Sequence, residues 1–162
     1  MSDEPAVVEL EPVERERVGW SADALAKLAL IEVAGLTIFQ KVHSSGYDYA
    51  AATEDGLFVL VSVAAYSSRA AGIRSVELVP ELRWPVLADD VRRARASLSP
   101  VYFFLFDAST RHGRYARLDV LPAPPRGVKA VPVSFPLANV IDPPSIARLV
   151  AELRAERRPS AA

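Results

Sequence analysis

Two groups of residues in this sequence have the types and spacing for chemistry. The first is Gly46-Tyr47-Asp48-Tyr49, just ahead of a hairpin, with His43 five residues before Asp48. A histidine and an aspartate can share a metal ion or pass a proton between them. The plainer reading leaves His43 exposed beside a turn and Asp48 capping that turn. The second group is Arg111-His112-Gly113-Arg114-Tyr115-Ala116-Arg117. Three arginines around a tyrosine can contact phosphates and stack on a base. Arg92 and Arg93 would enlarge that surface if they share its face. The competing reading is two solvated faces with local ion pairs, such as Asp89 with Arg93.

Other chemistries are excluded by composition and pattern. The chain has no cysteine, so disulfides, thiolate metal sites and cysteine nucleophiles are ruled out together. Its serines lack the glycine-flanked setting of a hydrolase nucleophile. It has neither a P-loop nor a dinucleotide-binding glycine pattern. The formal net charge of −1 argues against a general attraction to polyanions. The charge is uneven, however. Residues 1–19 carry six acidic residues and two arginines, whereas from Arg69 to Lys129 eleven basic residues face six acidic ones. Residues 1–19 read as a flexible acidic arm, and residues 20–158 as a single domain. The longest uncharged apolar stretch, Gly56 to Ser68, is shorter than the ~20 residues of a membrane helix. No membrane contact and a cytoplasmic location are expected.

The elements that must position these residues follow from periodicity. Ser21 reads as the N-cap of a helix ending near Ala34, with Asp23 in its first turn. Strands are expected at Thr37 to Val42, Tyr47 to Thr53 and Leu57 to Ala65. The second and third are joined by a tight hairpin turn at Glu54-Asp55-Gly56, where Asp-Gly supplies the positive φ angles such turns need. The third is apolar on both faces and belongs in a sheet centre. Pro85 to Leu98 has the spacing of a helix, with Leu87, Val91, Ala94 and Leu98 as its buried stripe. Val101 to Phe106 reads as a second central strand and Arg114 to Leu121 as its antiparallel partner. Val131 to Phe135, interrupted by Pro132, is confined to an edge. Asp142 caps a last helix with Pro143 in its first turn. The order predicts an α/β fold, a central mixed sheet flanked by helices.

Residues 20–155 resemble the restriction-endonuclease-like superfamily, whose core is helix, three strands, helix, strand. They look closest to a small bacterial family of unknown function. That family joins Gly-x-Asp before a hairpin to Gln-Val-Lys on the next strand, then a tryptophan, a helix and a strand ending in aspartate. The corresponding residues here are Gly46-Tyr47-Asp48, Ser62-Val63-Ala64, Trp84-Pro85 and Val101 to Asp107. The resemblance implies a restriction-endonuclease-like core and a magnesium ion held by carboxylates. Such an ion lowers the pKa of water and stabilises the charge that builds on phosphorus. Asp48 matches the first ligand. Ser62 and Ala64 occupy the positions of the second carboxylate and the lysine, and neither can do that work. Glu32 and Lys41 are the candidate substitutes.

Three functions stay open. The first is a catalytically degenerate nuclease fold that acts by binding DNA, RNA or a protein in bacterial defence or mobile-element biology, with no cofactor. The second is an active nuclease using Mg²⁺ at a relocated site of Asp48, Glu32 and Lys41. The third is a protein-interaction module that pairs with a partner or a second copy of itself.

Overall fold

The computed structural model describes residues 6–11, 36–40 and 47–157. The expected helix from Ser21 to Ala34, and with it Asp23, Glu32, Lys41 and His43, lies outside the described residues.

The chain is an α/β structure, with two mixed sheets among the described residues. The larger contains β2 (Leu36–Gln40), β3 (Tyr49–Thr53), β4 (Phe58–Tyr66), β6 (Val101–Asp107) and β7 (Gly113–Arg117), side by side in that order. All its neighbours are antiparallel except β4 and β6, which run parallel with Leu60 opposite Val101 and Tyr66 opposite Asp107. Parallel neighbours need a crossover. Here it is made by β5 (Glu81–Leu87) and helix α1 (Ala88–Ala96). The smaller sheet orders β1 (Val7–Glu9), β5 and β8 (Ala130–Pro136).

The three layers follow from the period-two pattern of β6. All seven of its residues are buried. Val101, Phe103 and Leu105 pack with Leu82, Trp84 and Val86 of β5, Val133 and Phe135 of β8, and Val91 and Ala94 of α1. Tyr102, Phe104 and Phe106 pack with Ile146, Leu149, Val150 and Leu153 of helix α2 (Pro143–Arg157). Removing each such side chain from water stabilises the fold by about 1.5–3 kcal/mol, so a strand buried on both faces is the costliest place to alter. The N-terminus of α2 is as expected: the Asp142 carboxylate accepts the Ser145 N–H at 2.8 Å.

Four expectations need correction. Pro85 does not start a helix but lies inside β5, opposite Pro132 of β8. β1 pairs with residues 81–83, so among the described residues β5 has no strand on that side at Pro85 and loses no ladder bond there. Leu87 and Leu98, expected in a buried stripe, are exposed. At the β3–β4 turn only Gly56 takes a positive φ, 82°, consistent with a three-residue loop and a left-handed glycine. Part of the expected acidic arm is a strand. β1 runs parallel to β5, the Leu10 N–H donates to the Arg83 carbonyl at 2.8 Å, and Leu10 is buried in the core. The Glu9–Arg83 ion pair is exposed and screened by solvent, so Leu10 and the backbone bonds hold this strand down.

Candidate functional site

Asp48 stands at the entrance to β3, half-buried. Its N–H donates to the Val61 carbonyl at 2.9 Å, and its Oδ2 accepts the Val63 N–H at 2.7 Å. The side chain thus continues the β3–β4 ladder where the β3 backbone leaves it. Ser62 and Ala64, at the motif positions, alternate with Val61 and Val63. They share the strand face of Leu60 and Tyr66, toward the smaller sheet and α1. Tyr47 packs against the edge of that core, and its phenol titrates above the usual tyrosine range. Burial is the main cause, moderated by Arg93 and reinforced by Asp90. Among the described residues, no group of three or more His, Cys, Asp or Glu side chains could hold a metal ion.

The arginine cluster is taken apart by the tertiary structure. Arg114 shares the face of Ala116 and Leu118, and is fully buried rather than on a surface. Its Nη1 donates to the Phe135 carbonyl at 3.1 Å, and its Nη2 to the carbonyls of Val76 and Val79 at 2.8 and 2.7 Å. Tyr115 is buried on the opposite face, edge-on to Tyr102 at 6.0 Å between ring centroids. Arg117 is held between Asp119 at 3.0 Å and Glu156 at 2.8 Å. On α1, Arg92 pairs with Asp89 at 2.8 Å and Arg93 with Asp90 at 3.1 Å, rather than Arg93 with Asp89 four residues away. Arg111 alone of the six is exposed without an ion pair among the described residues, and it has a left-handed φ of 68°.

The densest polar cluster lies elsewhere, where β4 and β6 end together. Asp107 is completely buried. Its carboxylate accepts the Ser68 N–H at 2.8 Å, the Ser68 hydroxyl at 2.6 Å, the Ser109 N–H at 3.0 Å and the Thr110 hydroxyl at 2.6 Å. Burial pushes its pKa up, but these donors outweigh burial and hold it below the usual carboxylate range. Next to it, the Arg114 Nε donates to His112 Nε2 at 2.9 Å, which requires a neutral imidazole with its proton on Nδ1. Burial and then the Arg114 charge lower the His112 pKa, against smaller opposing effects of Glu77 and Asp107. The Tyr66 hydroxyl is buried nearby without a hydrogen-bond partner among the described residues, and burial raises its pKa well above the usual phenol range. Gly113 is required here: a Cβ would come within 2.5 Å of the Phe106 ring. This cluster joins the loops after two parallel strands and ties both sheets together. The sequence signals for it are the aspartate closing an apolar strand and the Ser-Thr pair two residues on.

Neither a protein-family model nor a curated protein matches the chain. What is defined is therefore the class: a three-layered α/β protein with mixed sheets. Among the described residues, no helix is long and apolar enough to cross a membrane.

Proposed function

We propose that this chain is a binding protein on a restriction-endonuclease-like sheet, with its catalytic corner converted into structure. The reading is supported by three consecutive antiparallel strands followed, across α1, by a parallel fourth. The observation that carries it is the bond from the Val63 N–H to Asp48 Oδ2. A hydrolytic magnesium site needs several oxygen ligands, and one carboxylate already engaged by the backbone is a poor start. Ser62 and Ala64 add neither a second carboxylate nor a cation. The partner is a protein rather than a nucleic acid, because Arg92, Arg93, Arg114 and Arg117, the arginines expected to contact phosphates, are all engaged within the molecule.

The test is calorimetric titration of manganese into the full chain and into Asp48→Ala. Neither protein should give a binding isotherm. Binding in the wild type that disappears in the variant would restore the nuclease reading.

A further inference from the structure

The connection from β7 to β8 carries the run Leu121-Pro122-Ala123-Pro124-Pro125-Arg126-Gly127. Its composition fixes its shape. Each proline ring locks φ at about −65°, and Leu121, Ala123 and Pro124, each followed by a proline, are pushed out of the helical region. The outcome is a polyproline II segment, which repeats every three residues. Burial follows that repeat. Leu121 and Pro124 are half-buried, whereas Pro122 and Ala123, then Pro125 and Arg126, are exposed. Leu121 packs against the core. One exposed ridge therefore carries Pro122 and Pro125, one turn or roughly 9 Å apart, and the ridge beside it carries Ala123 and Arg126.

The segment is clamped at both ends. Arg95 of α1 donates to the Leu121 carbonyl, and Arg92 of α1 to the Pro125 carbonyl at 3.0 Å. A turn then closes it: the Val128 N–H donates to the Pro125 carbonyl at 3.4 Å, and Gly127 takes a φ of 80° at the turn position that favours glycine. Between the clamps, no hydrogen bond reaches the carbonyls of Pro122, Ala123 or Pro124 among the described residues. Arg126 is exposed and has no ion pair among the described residues. Joining β7 to β8 does not require a proline ridge turned to solvent. What can cover that ridge follows from its chemistry. Proline rings one turn apart pack on flat apolar faces, which aromatic side chains supply. Bare carbonyls need donors, and the N–H of Trp or the O–H of Tyr provides them. The free guanidinium of Arg126 calls for a carboxylate at one end. Because the segment is held in shape beforehand, docking orders little that was loose.

We infer that Pro122 to Arg126 is the docking ridge for a protein domain whose aromatic-lined groove takes polyproline II segments and whose rim is acidic where Arg126 lies. This rests on the protein-binding reading above and names its surface, yet the two fail differently. Manganese binding at Asp48 would undo the converted corner and leave the ridge as it is. A ridge that enters no such groove would leave the converted corner standing.

The probes are three isolated domains with grooves of this kind, an SH3, a WW and an EVH1 domain, each chosen with acidic residues beside the groove. Each is isotope-labelled and titrated with the unlabelled full chain, and its groove resonances are followed by NMR. In at least one domain the aromatic groove signals should shift and saturate. Pro122→Ala/Pro125→Ala should weaken that binding more than about tenfold, the effect of losing central anchors, and Arg126→Glu should weaken it by about tenfold. Leu78→Asp, exposed but outside the segment, should bind like the wild type. Every variant should keep a cooperative urea transition, and Arg126→Glu, a change at an exposed side chain, tests the ridge without touching its prolines. No saturable groove shift in any of the three domains would overturn the inference. So would a shift that both Pro122→Ala/Pro125→Ala and Arg126→Glu leave undiminished.

Discussion

Asp48 and Asp107 sit at the ends of strands flanking β4, and both accept backbone N–H groups from that strand or the residues after it. They differ in how far they are used up. Among the described residues, half-buried Asp48 takes one hydrogen bond on its carboxylate, while Asp107, sealed from water, takes four. A carboxylate can serve a metal or substrate only with lone pairs not already committed. By that measure Asp107 is a staple, whereas Asp48 serves the ladder through Oδ2 and keeps lone pairs uncommitted among the described residues. Residue type and motif position were the same kind of signal for both. The donors around each one decide its role.

The comparison can be broken most strongly at Asp107. Asp107→Ala strands two buried donors of Ser68 and removes the acceptor of the part-buried Ser109 N–H and Thr110 hydroxyl, and should cost about 3 kcal/mol in urea unfolding. Asp107→Asn should recover part of that loss. A wild-type-like Asp107→Ala would refute the staple. Because its folded pKa is depressed, this carboxylate contributes its full stability above the unfolded value of 3.8. That contribution is lost as pH falls through the lower folded value, so the Asn variant should show a flatter acid limb.

His112 gives the intermediate effect, on the same side of the molecule. It is a base with a depressed pKa, so its contribution is complete above the unfolded value of 6.5 and is lost as pH falls through the lower folded value. Protonation removes the acceptor of Arg114 and sets two cations against each other. Stability should therefore decline on acidification below neutrality, and His112→Gln should lose that part of the slope in urea midpoints measured against pH. An unchanged slope would show that the pair is not coupled to folding. The smallest effect belongs to Asp48→Ala, which removes one partly exposed hydrogen bond and should cost about 1 kcal/mol. A loss as large as that at Asp107 would erase the distinction between the two carboxylates.

Much of the fold was legible where local pattern and tertiary environment agree. The unbroken apolar run of β6 announced a strand covered on both faces, and Asp142-Pro143 announced a helix start. The smaller sheet was not legible. β1 is three residues long and pairs with residues 81–83, a contact with no local trace. Glu81 to Leu87 alternates as a strand should, yet Pro85 suits the first turn of a helix equally well, and only pairing with β8 decides between them. Within the candidate site, Asp48 could be located, but its bond to Val63 could not.

The sequence by itself determined which segments are apolar on one face or two, where turns and caps fall, and that cysteine chemistry is absent, because these depend on residue type and short-range spacing. Only the tertiary structure decided that Arg114 is a buried tie between sheets and Asp107 a saturated staple. It also decided that the run from Leu121 to Pro125 is held at both ends by arginines of α1. Each of these depends on carbonyls or donors contributed by segments distant in the chain. Hydrogen bonding and burial are settled by those neighbours, not by the residue that carries the charge.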